Sequence, residues 1–388
     1  MRKFLLRTML FICCSLCFSQ SLQNKFIKGN IADKTTAVMD ASDKERLWLT
    51  NEAIQFVIKN AEYLGEDRDL EGLALAAILS LPNDYGQGKT ESEKEEISNQ
   101  LLKIYDLVQS NTVRIAVLSK YLTLKNYLPL EPLTLKLNTY MSSSESYYTD
   151  VNLLKSIIGV LGYIGDNNFF TILYKCYNDN HFSAYKEELE QTLISLIPAS
   201  MNEVLQIIHT KDINQISKIY GLILKNEKIS QNYISEIAEN LLNESILIAG
   251  NTVSRKDEVV KIQLGSLKIL KDNKCTRASS SVLAFFKVAK KEYTEDLISE
   301  EQLIEVIDST GILAPMDSVS YLIDYLEEMN VMTENEREVS PAIVIAVINT
   351  LGAIGDKTAF DSLLAVTYID YPEAILSAAR NALAGLKW

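Results

Sequence analysis

A shift of 190 residues lays this chain on itself. Residues 151–198 and 341–388 align without a gap, and eleven of the 48 positions are identical. The identities concentrate in one block: Leu161/Leu351, Gly162/Gly352, Ile164/Ile354, Gly165/Gly355, Asp166/Asp356, Phe170/Phe360 and Leu173/Leu363. A shorter period lies inside each copy. Leu161 recurs as Leu193 and Ile164 as Leu196, while Asn349 and Leu351 recur as Asn381 and Leu383, all 32 residues on. A third segment, from Val306, aligns with the segment from Val347 at an offset of 41. Self-similarity on this scale means units that cannot bury their apolar faces alone and therefore stack.

Each unit has a readable physical logic. Val344, Val347, Ile348, Leu351 and Ile354 are spaced by three and four, the stripe of one helix. Gly355 follows, where a left-handed C-terminal position favours glycine. Asp356 can cap the start of a second helix, whose apolar face is Phe360, Leu363 and Leu364. The unit reads as helix, tight Gly-Asp turn, helix. Only 7 Pro and 15 Gly in 388 residues leave room for long elements. The predicted fold class is all-α, an α-solenoid or superhelix of stacked antiparallel helix pairs.

These residues resemble the HEAT-repeat family, especially its short, lyase-type HEAT-like branch. The resemblance rests on Leu-Gly-Tyr-Ile-Gly-Asp at 161–166, on Leu-Gly-Ala-Ile-Gly-Asp at 351–356, and on the small-residue helix Ala374–Leu386. It covers about 95 residues in two copies. The segments at 260–286 and 306–326 are degenerate, and residues 45–145 read as helical without the motif. The resemblance implies a scaffold and says little about activity.

The N-terminus reads as an address. Arg2, Lys3 and Arg7 precede an apolar run of ten residues, Met9–Phe18. That run is half the ~20 residues that span a bilayer. Cys17 and Ser19 stand at −3 and −1 of a cut before Gln20, the pattern of a secretory signal peptide. Cys13 and Cys17 fit a lipidation motif poorly; Cys17 is the nearer acceptor. Removal of residues 1–19 takes away three positive charges. The net charge then moves from 38 − 51 = −13 to 35 − 51 = −16, and only Cys176 and Cys275 remain. They lie 99 positions apart, more than two repeats, so two buried thiols are expected rather than a disulfide. The expected organisation is 1–19 signal peptide, 20–44 flexible lead-in, 45–145 degenerate helical repeats and 146–388 HEAT-like solenoid. One elongated body is expected, with 145 as a possible seam.

No catalytic constellation emerges. Gly88-Lys89-Thr90 matches the end of a phosphate-binding loop, but Asn83 stands where its first glycine belongs and a helix, not a strand, precedes it. His181 and His209 have no second ligand at metal spacing. Gly159, Gly162 and Gly165 are spaced for helix packing rather than for a dinucleotide. An acidic chain without a basic block is a poor nucleic-acid binder. No cofactor and no metal are expected. The acidic runs Glu295–Asp308 and Glu327–Glu338 read as solvated helix faces, with docking of a basic partner as the sharper reading. The pairs Tyr147/Tyr148, Tyr174/Tyr177, Tyr321/Tyr325 and Tyr368/Tyr371 are places to look for a partner, since Tyr is enriched at interfaces.

The function expected is a non-catalytic protein-binding or scaffolding protein of the periplasm or cell envelope, using a concave row of second helices. Two alternatives accompany it. One is a lyase-type HEAT-like protein acting on a chromophore or a modified partner protein. The other is a self-assembling structural envelope component.

Overall fold

The computed structural model describes residues 22–164, 169–250 and 256–387. They are almost all helical, and strand-like pairing among them is confined to an isolated parallel bridge between Asp356 and Lys387. None of their helices is long and apolar enough to cross a membrane. The chain divides into two compact units between Ala199 and Ser200; both sides of residue 145 belong to the first.

In the first unit, residues 22–28 are helical, followed by α1 (Ile31–Met39), α2 (Asp43–Leu64), α3 (Arg68–Ser80), α4 (Glu91–Leu107), α5 (Asn111–Leu124), α6 (Glu131–Ser142), α7 (Val151–Ile164), α8 (Phe170–Asn178) and α9 (Lys186–Leu196). Helix starts follow local chemistry. Asn30 and Thr90 each form a capping box, with Asp33 and Glu93, and Ser110 caps α5 with its hydroxyl. Asp67 caps α3 by accepting from the amides of Asp69 and Leu70.

The second unit contains α10 (Met201–Ile208), α11 (Ile213–Leu224), α12 (Gln231–Ala249), α13 (Lys256–Asp272), α14 (Ser279–Thr294), α15 (Glu300–Leu313), α16 (Val319–Glu334), α17 (Pro341–Ile354), α18 (Phe360–Val366) and α19 (Glu373–Ala384). Its apolar core runs without a break from Ala238 in α12 to Leu386 beyond α19.

Each unit is built in two layers. Odd helices pack on odd helices: α1 on α3, α3 on α5, α5 on α7 and α7 on α9, then α11 on α13, α13 on α15, α15 on α17 and α17 on α19. Even helices form the other layer. In the second unit the Phe286–Tyr325 edge contact and the Lys290–Glu328 ion pair join α14 to α16. The structure is therefore an all-α stack of antiparallel helix pairs. The closely packed pairs are α2 with α3, α4 with α5, α8 with α9, α12 with α13, α14 with α15, α16 with α17 and α18 with α19. The sequence pattern groups α17 with α18 across the Gly355–Asp356 corner. The structure instead lays α18 along α19, because the apolar faces of both helices meet there and the corner turns α18 away from α17.

Residues 20–44 are not a flexible lead-in where they are described. Phe26, Ala37 and Val38 are buried, and α1 packs along α3. Lys34 is buried with them. Its ammonium donates to the Phe26 carbonyl and lies over the rings of Phe26 and Phe56, at 4.9 and 5.0 Å from their centroids. A cation met by a carbonyl and two ring faces can leave water. The polar run 83–95 ends inside α4, which begins at Glu91. Residues 142–149 hold a 3-10 turn, Ser144–Tyr148.

Candidate functional site

An open concavity lies in the first unit, between the neighbouring even helices α4 and α6. Ile97, Leu101 and Ile104 bury the inner stripe of α4, and Tyr105 is buried with them in its last turn, beside the groove. Arg114, in the first turn of α5, folds back over that turn. Its Nε donates to the Tyr105 carbonyl at 3.2 Å and one Nη to Gln109 Oε1 at 3.2 Å. A cation placed there offsets the free carbonyls at the C-terminus of α4. The guanidinium carbon lies 5.7 Å from the Tyr105 ring centroid. Lys136 of α6 approaches the same ring at 5.9 Å while pairing with Asp106 at 2.6 Å. Burial pushes the Tyr105 phenol up to about 12, against the pull of Arg114, so it remains a hydroxyl at neutral pH. Pro132, Leu135, Tyr140 and Leu153 complete a groove of about 730 Å³. Leu135 is 67% exposed within it. Two cations on one ring beside an open apolar wall suit a ligand that brings both an acceptor and an apolar group.

A second cluster lies where the Ser144–Tyr148 turn meets the turn after α8. The Tyr147 and His181 rings stack at 4.3 Å, with planes 9° apart. Asp179 receives His181 Nδ1 at 2.8 Å and the Tyr147 hydroxyl at 3.1 Å. The His181 amide also donates to it, and these bonds hold its carboxyl below the usual range. Accepting that same hydroxyl raises the Tyr147 phenol. Asp179 thus fixes the imidazole through Nδ1. The nearby thiol of Cys176 is buried and pushed up to about 11 by burial, so it is a protonated core group rather than a nucleophile. The cluster is a rigid aromatic platform. The Asp-x-His spacing at 179–181 was its sequence signal, and Tyr147 could not be inferred from it.

The repeat residues hold the scaffold. Leu161 and Leu351 are fully buried. A Cβ on Gly162 would meet Thr192 of α9 at 2.7 Å, and one on Gly352 would meet Ala382 of α19 at 2.8 Å. Gly159, by contrast, faces open space. Ile164 and Ile354 end their helices half-buried. Gly355 adopts φ 75°, and its N–H returns to the Leu351 carbonyl. Asp356 accepts from the amide and hydroxyl of Thr358 at 2.8 Å each, capping the short 3-10 turn Lys357–Ala359 that leads into α18. Those bonds lower its carboxyl pKa. Gly165 and Asp166 lie outside the described residues.

The other sequence candidates take local duties. Thr90 caps α4, and the Lys89 ammonium lies over the Tyr85 ring at 5.0 Å. His209 Nδ1 meets Glu244 at 2.9 Å. Among the described residues no three His, Cys, Asp or Glu side chains are grouped to hold a metal ion. Among the described residues Cys176 and Cys275 are free thiols; Cys176 is buried and Cys275 half-buried. Lys287 and Lys290 lie over Tyr321 and Tyr325, at 4.7 and 4.2 Å. Tyr148 and Tyr368 are exposed, in different units. In the acidic runs, Glu300 accepts from Ser340, Glu327 from Ser362, and Glu328 pairs with Lys290.

Compared with known proteins, the chain matches no family model, no curated protein and no solved structure.

Proposed function

We propose that this chain is an exported, non-catalytic protein-binding scaffold of the periplasm or cell envelope, built from HEAT-like repeats. It holds a segment of another protein against the row of even helices in its first unit. The observation that carries this reading is the α4–α6 groove. Neighbouring helices of one layer leave an open concavity there, with Leu135 exposed and two cations over Tyr105. Stacked helix pairs present such rows as binding surfaces. A partner segment seats an apolar side chain on Leu135 and Tyr140, and an acceptor toward Arg114. Export is supported by the charged and apolar N-terminal pattern of residues 1–19.

Two measurements test it. The mature protein from the native envelope should begin at Gln20 by mass spectrometry; an intact Met1 N-terminus overturns the export reading. A photo-reactive residue at position 135 should cross-link one defined partner in the native envelope. Arg114→Glu in the same chain should abolish that product, with the helical circular dichroism spectrum retained and the melt lowered only by the lost cap at the end of α4. Cross-linking that is indifferent to Arg114→Glu, or absent altogether, removes the groove as the docking place.

A further inference from the structure

Two carboxyls share one lysine where the start of α13 meets the end of α14. Glu292 of α14 is buried, and its Oε2 has no hydrogen-bond partner. The buried Gln263 amide of α13 faces it. Glu295 follows three residues on, exposed at the C-cap of α14. Groups three apart on a helix are neighbours, ~5–6 Å between Cβ atoms. Lys256 Nζ lies 2.9 Å from Glu295 Oε2, and Lys256 is also the cation that acts on the Glu292 carboxyl.

The two carboxyls do not depend on it equally. Glu295 has a second cation, Lys291, at 3.6 Å one turn back on its own helix. Glu292 has no such reserve. Lys256 and Gln263 are seven residues apart and share one face of α13, whereas Asp257, Glu258, Lys261 and Lys268 are turned away from it. Lys271 lies two turns beyond Gln263. Charges on the other elements around α14 are engaged elsewhere. Glu239 of α12 pairs with Arg277, in the turn before α14, and Glu244 of α12 meets His209. Lys290 of α14 pairs with Glu328 of α16, Lys287 lies over the Tyr321 ring, and Glu300 of α15 accepts from Ser340. Asp296, just past α14, adds a further negative charge. Among the described residues, Lys256 is therefore the cation placed to meet an ionised Glu292.

We propose that Lys256 is the moving cation of a pH-operated switch: it pairs with Glu295 while Glu292 is protonated, and turns inward to Glu292 once that carboxyl ionises, leaving Glu295 to Lys291. The bridge between α13 and α14 then moves from the surface into the interface. Burial, with Glu295 adding to it, holds the Glu292 carboxyl up to about 7 and so sets the operating range. Below that pH the neutral carboxyl can donate to the Gln263 amide oxygen and needs no cation. Above it, a buried anion without a partner is strongly unfavourable. Glu295 is exposed to water and keeps Lys291, so it loses little when Lys256 departs.

Double-mutant cycles on the full mature chain read the exchange of partners, from unfolding constants of the second unit in chemical denaturation. Lys256→Met and Glu295→Gln should be coupled by about threefold at pH ~5.5 and uncoupled at pH ~8.5. Lys256→Met and Glu292→Gln should show the reverse, uncoupled at pH ~5.5 and coupled by about tenfold at pH ~8.5. Lys291→Met deprives Glu295 of its second cation and should push the crossover to higher pH. A Lys256–Glu295 coupling that holds at both pH values overturns the proposal. So does the absence of Lys256–Glu292 coupling at the higher pH, or a crossover indifferent to Lys291→Met.

Discussion

The two copies of the internal repeat solve one packing problem with different tolerance. The 190-residue shift carries the bounds of α7, Val151–Ile164, onto those of α17, Pro341–Ile354. It also carries the contact of Gly162 with Thr192 onto that of Gly352 with Ala382. In the first unit the glycine faces a side chain that can turn, a threonine whose hydroxyl leans on the Ile158 carbonyl at 3.5 Å. In the second it faces Ala382, whose Cβ and backbone Cα would lie 2.8 and 2.9 Å from an added Cβ. The backbones approach more closely, and nothing flexible stands between them. The same residue in the same register therefore protects a soft contact in one unit and a hard one in the other.

Substitution at the two glycines should break the equivalence with the largest effect. Gly352→Val forces α17 off α19 and should cost ~3 kcal/mol or more in chemical denaturation of the second unit. Gly162→Val should cost ~1–2 kcal/mol, since Thr192 can change rotamer. Equal losses would mean that both interfaces relax alike.

Buried charge is the next contrast. In the first unit Lys120 is buried and donates to the Leu81 carbonyl at 2.8 Å; burial lowers its ammonium pKa. In the second, Glu292 of α14 is 5% exposed, and one of its oxygens has no hydrogen-bond partner. Burial pushes this carboxyl from 4.5 up to about 7, with Glu295 adding to the rise and the Gln263 amide and Lys256 opposing it. The folded state then holds a proton that the unfolded state releases earlier. Stability from this group is full below 4.5 and is lost as pH rises through about 7. Glu292→Gln should match the wild type at pH ~4.5 and exceed it by ~1–2 kcal/mol at pH ~8, solvent near the carboxyl tempering the full shift. A constant difference between variant and wild type across that window would refute it.

The smallest effect concerns the two thiols. Alkylation of the native chain at pH ~8 should label half-buried Cys275 well before Cys176, whose thiol burial keeps protonated. Equal labelling rates would show that α8 opens as readily as the loop before α14.

Much of the architecture was legible because repeats are a local code. The helix around Leu351, the left-handed Gly355 and the cap at Asp356 all follow from residue types at fixed spacings. The offset of 41 likewise carries α15, Glu300–Leu313, onto α17, although only Val306 and a few neighbours match. Residues 22–44 were misread because polar composition hides Phe26, Ala37 and Val38, whose burial depends on what α3 offers them. The groove was not legible at all. Tyr105, Arg114 and Lys136 have no shared periodicity, and what unites them is the end of α4 meeting α5 and α6.

By itself, then, the sequence determined that the chain is helical, where its repeated helices start and stop, and which residues turn its corners. Those are properties of a few neighbouring residues: side-chain spacing, capping oxygens and the absence of a Cβ. Only the tertiary structure decided that α18 pairs with α19 rather than α17, and that Glu292 is buried short of a partner. Each of these depends on which surface covers which. Apolar burial is non-directional, so a repeated stripe states that a face must be covered and leaves open by what.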